Sequence, residues 1–232
     1  MKQIITQHGW CLNSNMWRNL REEFKTDDLY WQDNERGYFQ NIYKDSEWIE
    51  DNNFDIKMII SHSLGTRLIK RNILSRASHA VLINSFFNFI PANNRRNFIM
   101  RSLKKMEKKF NPKELKLLIK DFITRSFLPN DLEVDFQELL KINNEDINSS
   151  LLYSDFKKLY DEDEDYNLFS KDCEILVIKS SNDLILEDNS IQHLIKVLNA
   201  IQNKTPKVVE IDGHGHIVKG FEIFHIIKKW LN

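Results

Sequence analysis

Short, nearly unbroken apolar runs alternate along this chain with longer stretches of helical period, and few architectures can bury such runs. "QIITQ" (3–7), "LYWQ" (29–32), "KMIIS" (57–61), "AVLIN" (80–84), "EILVIK" (174–179) and "KVVEI" (207–211) each end at polar or turn-forming residues. They read as strands. A strand wetted on one side alternates apolar with polar residues, whereas continuous apolar runs imply cover on both faces, as in a parallel sheet between helices. "WRNLREEF", "GTRLIKRNILSRA", "SIQHLIKVLNAIQN" and "FEIFHIIKKWL" supply the predicted helices. The expected class is α/β, mostly parallel, with one long interruption.

That interruption spans 86–169 and contains no convincing strand. It is predicted to be an all-helical insertion, which leaves 1–85 and 170–232 as the α/β core. Ile99, Leu103, Met106 and Phe110 form one apolar stripe at helical spacing. Asn111-Pro112-x-Glu114 then supplies an N-cap, a first-turn proline and a capping glutamate, and Leu115, Leu118, Ile119 and Phe122 form the next stripe. Two more helices are expected over 131–142 and 145–160, followed by an acidic linker, "YDEDEDY", at 160–166.

Composition closes off several classes. The 33 basic and 34 acidic residues leave a net charge of −1, so nothing in the bulk charge points to nucleic acid. No apolar run approaches the roughly 18 residues of a membrane span, and no leader pattern opens the chain, so a cytoplasmic protein without membrane attachment is expected. Cys11 and Cys173 are the two thiols. A core of this size needs no disulfide framework, and both are expected reduced.

The chemistry concentrates in "IISHSLGTRLI" (59–69). A serine nucleophile sits on a sharp turn between a buried strand and a helix, in the pattern G-x-S-x-G, because glycines keep side chains out of the crowded flanks. Here Ser61 replaces the first glycine and Gly65 keeps the second, so Ser63 is the candidate nucleophile and a helix-capping serine the bland alternative. A serine hydroxyl needs a base, an acid to orient that base, and donors for the oxyanion. Asp183 ends a buried strand in "LVIKSSNDLIL", and His214 and His216 follow the last strand in "EIDGHGHIVKG". The two histidines compete for the role of base. Their i, i+2 spacing also suits a weak metal site, but no third ligand cluster accompanies them.

Taken in order, HG at 8–9, the D-x-x-x-G turn from Asp33 to Gly37, S-x-S-x-G at 61–65, Asp183 and Gly215-His216 resemble the α/β-hydrolase superfamily over nearly the whole chain. The resemblance implies Ser63, Asp183 and His216 as the catalytic residues, since the family sets its histidine directly after a glycine. It implies an oxyanion hole from the backbone amides of Trp10 and Leu64. Within the superfamily, "HGWCLNSNMWRNL" resembles the pimeloyl-acyl-carrier-protein methyl ester esterases of biotin precursor synthesis. That likeness implies a serine carboxylesterase needing no metal or organic cofactor, with Trp10 and Phe122 beside the acyl chain and Ser126 where the family has a glutamine. The chain departs from the pattern at Ser61 and at Thr66 after Gly65, and it begins at the HG strand without the family's preceding strands. Phe86, Phe87 and Phe89 follow a strand and are expected to line an acyl channel, although such clusters also serve as plain core.

Charge within the insertion is segregated. Residues 95–125 hold eleven basic side chains against Glu107, Glu114 and Asp121, a net of +8, while 131–165 carry a net of −9. Arg101, Lys104, Lys105 and Lys108 share one side of a helix, and Lys113, Lys116 and Lys120 one side of the next. An acidic acyl carrier protein is the partner such a face would steer, unless the two halves merely neutralise each other. Competing readings are a thioesterase or small-ester carboxylesterase on the same machinery, and an inactive fold that only binds an acyl carrier.

Overall fold

The computed structural model describes residues 1–25, 28–40, 42–50, 54–162 and 165–232. Six strands, β1 (Lys2–Gln7), β2 (Leu29–Asp33), β3 (Ile56–His62), β4 (His79–Ile83), β5 (Glu174–Ser180) and β6 (Lys207–Ile211), form one sheet in the order β2-β1-β3-β4-β5-β6. Every pairing is parallel. Each apolar run predicted as a strand is one. The physical reason is double-sided burial: Ile4, Met58, Ile60, Val81, Leu176 and Ile178 pack on one face, and Ile5, Ile59, Ala80, Leu82, Ile175 and Val177 on the other. The two edge strands differ: β2 is mostly half-buried, and β6 exposes Lys207 and Glu210, where polar residues discourage further pairing.

Helices α1 (Arg18–Glu23) and α9 (Gly220–Leu231) cover the first face through Leu20, Ile223 and Ile227. The second face meets α2 (Gly65–Leu68), α3 (Arg71–Leu74) and α8 (Asp188–Ile201). The continuous helix expected over 65–77 is instead two single turns. Ile69 and Lys70 between them are extended, with ψ near 140°; a buried Ile69 ends the first turn, and the Trp48 indole takes the Ile73 carbonyl at 2.9 Å. These tertiary contacts override local propensity.

Between β4 and β5 run α4 (Arg96–Glu107), α5 (Leu115–Phe127), α6 (Val134–Leu139) and α7 (Ser149–Lys157). No strand interrupts them among the described residues, and one isolated bridge joins Ile147 to Phe39. Asn111 accepts from the amides of Lys113 and Glu114, while the Glu114 carboxylate takes the Asn111 side-chain amide at 2.8 Å. Asn111 thus caps the turn as expected, but Glu114 returns to its side-chain amide rather than to its backbone N–H, which donates to Lys109 O, and regular helix begins only at Leu115. Of the acidic linker, Asp163 and Glu164 lie outside the described residues. No described helix is long and apolar enough to cross a membrane. Both cysteines are buried free thiols.

Two ionic centres fasten the inserted helices. Glu107 on α4 accepts from Tyr153, Lys157 and Tyr160 at 2.8 to 3.0 Å, joining α4 to the α7 region. Asp155 on α7 is wholly buried and accepts two hydrogen bonds from Arg36, at 2.6 and 3.0 Å, one from Tyr38 at 2.8 Å, and one from Lys158. Burial opposes its ionisation, but these donors outweigh it and hold the carboxyl below its usual range. Removing it would leave the largely covered Arg36 guanidinium without its counter-charge. Asp155→Ala should therefore lose about 3 kcal/mol in a denaturant titration; a loss under about 1 kcal/mol would mean that the pair behaves like a surface ion pair.

Candidate functional site

Strand order places the site. From β1 the chain passes to β2 on one side and then crosses back to β3 on the other, so a crevice opens at the carboxyl ends of β1 and β3. The register sets Gln7 beside Ser61 and His62 beside Ile83, which aligns the segments that follow β1, β3 and β4.

Ser63 follows β3 with φ +55° and donates its amide to Ile83 O at 2.9 Å. Such a left-handed non-glycine residue is uncommon. Here it pins a turn tight enough that β1 and its loop touch the turn. A Cβ at Gly65 would lie 2.6 Å from Gln7 O, and one at Gly9 would lie 3.0 Å from the Ser63 Cβ, so both positions require glycine. Contact between Gly9 and Ser63 sets side by side the segments that carry the Trp10 and Leu64 amides.

The missing glycine has a local explanation. The Ser61 hydroxyl is wholly buried and lies 2.7 Å from the Thr66 hydroxyl, which reaches Ser85 at 3.4 Å. The two departures from the familiar motif, Ser61 and Thr66, thus satisfy each other.

Ser63, His216 and Asp183 form one hydrogen-bonded chain. His216 Nδ1 lies 2.6 Å from Asp183 Oδ2, and His216 Nε2 lies 2.9 Å from Ser63 Oγ. An ionised carboxylate can only accept, so Nδ1 carries the hydrogen and Nε2 is free to take the serine proton. The other Asp183 oxygen accepts the amides of Ile185 and Leu186 at 2.7 and 2.9 Å. Burial works against a charged Asp183, yet His216 and these amides hold it below the usual carboxylate value. His214 faces elsewhere, toward Asp212 O at 2.9 Å and Glu222 at 3.4 Å. The paired histidines therefore do not converge on one centre.

A cavity of about 440 Å³ opens over Ser63 and Asp183. Trp10 and Phe122 stand on its wall, with rings 4.8 Å apart, and the Trp10 indole donates to Leu152 O at 2.8 Å. Phe86 and Phe87 do not line it. Both are buried in the core, edge-on to Phe89 and tilted against Tyr166 respectively, and Phe89 alone of the three reaches the wall. Their places on the wall go to Ile99, Leu103 and Met106 of α4. That stripe was visible in the sequence as helical period, without any sign that it faced a cavity. Ser126 also stays off the wall and turns its hydroxyl back to Phe122 O at 2.8 Å.

Two residues absent from the expected site lie at its centre. His62 and Asn84 both donate to the main-chain carbonyl of His216. In the sequence Asn84 marks only a strand end, and no spacing rule points to either residue. Along the insertion, Arg101, Lys104, Lys105, Lys108, Lys113, Lys116 and Lys120 are all exposed.

No protein-family model and no curated protein matches this chain. Among solved structures it is similar to a hydrolase from Oleispira antarctica, at 14% identity and TM-score 0.70, covering 100% of this chain and 91% of that one. It is similar to an esterase from Exiguobacterium antarcticum, at 13% identity and TM-score 0.69, covering 100% of this chain and 91% of that one. A bromoperoxidase from Bacillus anthracis matches at 14% identity and TM-score 0.69, covering 98% and 88%. The chain has the α/β-hydrolase fold.

His62 is wholly buried, and burial followed by the neighbouring His216 pushes its imidazole from 6.5 down to about 3. Between those values the unfolded chain holds a proton that the folded chain refuses, so stability falls as pH falls through this window, by up to about 1.4 kcal/mol per pH unit. Asp183 acts at lower pH: its contribution is present above its ordinary 3.8 and is lost further down. His62→Gln should therefore flatten the stability curve between about pH 6 and pH 4 in urea titrations. An unchanged slope there would mean that His62 is protonated in the folded protein.

Proposed function

We propose that this chain is a serine carboxylesterase and that its substrate is the methyl ester of a pimeloyl chain carried on acyl carrier protein. The observation that carries the reaction class is the hydrogen-bonded sequence Asp183–His216–Ser63 beneath a largely apolar cavity. In this reading Ser63 Oγ attacks the ester carbonyl as His216 Nε2 takes its proton. Charge on the carbonyl oxygen is met by the Trp10 and Leu64 amides. His216 then protonates the departing methoxide, methanol leaves, and a water deprotonated by His216 releases the acid from Ser63. Asp183 fixes the tautomer and stabilises the imidazolium. The esterase and hydrolase among the similar structures support the same class. The Ser61–Thr66 bond favours an active enzyme over an inactive binder, because it preserves the turn without the glycine.

Support for the acyl substrate comes from the "HGWCLNSNMWRNL" segment and from the wall of Trp10, Phe122, Leu103 and Met106, which suits a methylene chain. Support for the carrier comes from the basic side chains of α4 and α5, among which Leu117 is also exposed. Among the described residues none of the seven cations named above is in an ion pair. Two buried free thiols favour a reducing, cytosolic setting.

Ser63→Ala, His216→Ala and Asp183→Asn should each lower kcat/KM for a soluble ester by about 10³-fold or more, and Ser63→Ala should abolish labelling by a fluorophosphonate. Ester hydrolysis that survives Ser63→Ala would reject the reading. His214→Ala should retain most activity.

The carrier assignment has a separate test. Reversing Arg101, Lys104, Lys105 and Lys108 to glutamate should raise KM for a carrier-bound ester by about tenfold and leave a small soluble ester nearly untouched. Activity on the carrier substrate alone should fall with added salt. Parallel losses on both substrates would assign these charges to the integrity of the inserted helices.

A further inference from the structure

His216 belongs to no helix or strand; it lies in the loop between β6 and α9. Its ring is held at both nitrogens, yet a ring is only as well placed as the peptide beneath it. That peptide is gripped twice. Asn84 Nδ2 donates to His216 O at 2.7 Å, and His62 Nε2 lies 2.9 Å from the same oxygen. A carbonyl only accepts, so His62 carries its hydrogen on Nε2.

Both donors are wholly buried and built into the sheet. Asn84 follows β4 at φ +43° and donates its own amide to Ile178 O at 2.8 Å. Its side-chain oxygen accepts the Ser180 amide at 2.9 Å, and its nitrogen also reaches the Ser180 hydroxyl at 2.9 Å. One side chain thus ties the ends of β4 and β5 to the His216 loop. His62 ends β3, directly before Ser63, so the carbonyl beneath the base is bonded to the residue adjoining the serine. The arrangement has a cost. His62 Nδ1 is buried and has no partner among the described residues, an exception that needs an explanation in a native core. A phenylalanine would fill similar volume without stranding a nitrogen, and would also lose the donor.

We infer that His62 and Asn84 are positioning residues that clamp the backbone of His216 and so fix the imidazole within reach of Ser63. The inference rests on reading His216 as the base. Geometry of this kind is worth much in rate, since a displacement of about 1 Å costs on the order of 10²-fold.

The test compares His62→Phe, which removes the donor, with His62→Gln, whose amide restores one. Asn84→Gly is added because glycine tolerates the left-handed backbone that alanine would strain. On a small soluble ester, His62→Phe and Asn84→Gly should each lower kcat roughly 10- to 100-fold with little change in KM. His62→Gln should recover most of what phenylalanine loses. The double variant should lose less than the product of the single losses, because both residues hold one oxygen. Near-UV circular dichroism checks folding, and the two His62 variants decide the matter even if Asn84→Gly unfolds. Wild-type kcat in folded His62→Phe, or a His62→Gln as impaired as His62→Phe, overturns the clamp.

A second readout does not depend on turnover. The proton in the short His216–Asp183 bond should resonate well downfield of the amides in proton NMR. It should shift or broaden in His62→Phe and Asn84→Gly and persist in His62→Gln; an unaltered signal in all three overturns the inference. If the wild type shows this signal and cleaves no ester, the esterase reading fails while the clamp is still judged by the spectrum.

Discussion

Parallel register is the constraint from which the site follows. Because Gln7 lies beside Ser61, His62 beside Ile83, and Ile83 beside Ile178, the chain exits β1, β3, β4 and β5 along one edge. Side chains alternate between faces, so a slip of one residue in any pair would exchange its core residues with those of the opposite face. Both faces are apolar, so the cost of such a slip lies in side-chain fit: residues shaped to one packed layer would be forced into the other. Burial of Ile59 and Ile60 on opposite sides of β3 therefore helps fix where Ser63 emerges. Core packing and the proposed chemistry share one geometric cause.

Backbone strain is concentrated at the same edge. Of the four non-glycine residues with positive φ among the described residues, three, Cys11, Ser63 and Asn84, lie just beyond β1, β3 and β4, and Gln40 lies apart. Each such residue costs on the order of 1 kcal/mol or more, and each is held by specific bonds or burial. Ser63 and Asn84 donate their amides to Ile83 and Ile178, and Cys11 is wholly enclosed in the core. Glycine would relieve the strain at all three. It would remove the hydroxyl at Ser63 and the two-strand tie at Asn84, so those two side chains account for the conformations they occupy.

The sheet was legible because double-sided burial writes itself as apolar runs, and Asp183 was legible because it lies in the turn just beyond one of them. Elsewhere the sequence was read correctly in type and wrongly in place. Aromatic Phe86 and Phe87 looked like channel lining, but a residue immediately beyond a buried strand is still inside the core. The cavity wall came from α4, whose apolar stripe reports a buried face without naming what it faces. Ser61 and Thr66 looked like two separate defects of a motif, since a hydrogen bond between hydroxyls five positions apart has no pattern in sequence. Choosing His216 over His214 drew on the family's glycine-histidine order, because spacing treats the two alike; the geometry now separates them through their partners. His62 and Asn84 were invisible for a further reason: both act on a backbone carbonyl, which carries no sequence label.

Charge segregation in the insertion had two explanations, and the pairing bears on them. If the acidic half served to neutralise the basic half, the cations of α4 and α5 would face its carboxylates. Among the described ion pairs one does: Arg96 meets Glu162 at 2.5 Å. Most of the acidic residues in described ion pairs turn to other partners. Asp155 takes Arg36 and Lys158, Asp135 takes Arg18, and Asp165 takes Arg71. Carboxylates of the insertion are thereby used to fasten it to the core, and the field of the basic helices is left facing solvent. At physiological ionic strength such a field decays within about 8 Å. A small ester entering the cavity spends little of its path inside that layer, whereas a folded acidic partner lying against α4 and α5 would remain within it for as long as it is docked. The exposed charges are thus the physical support for the carrier proposed above.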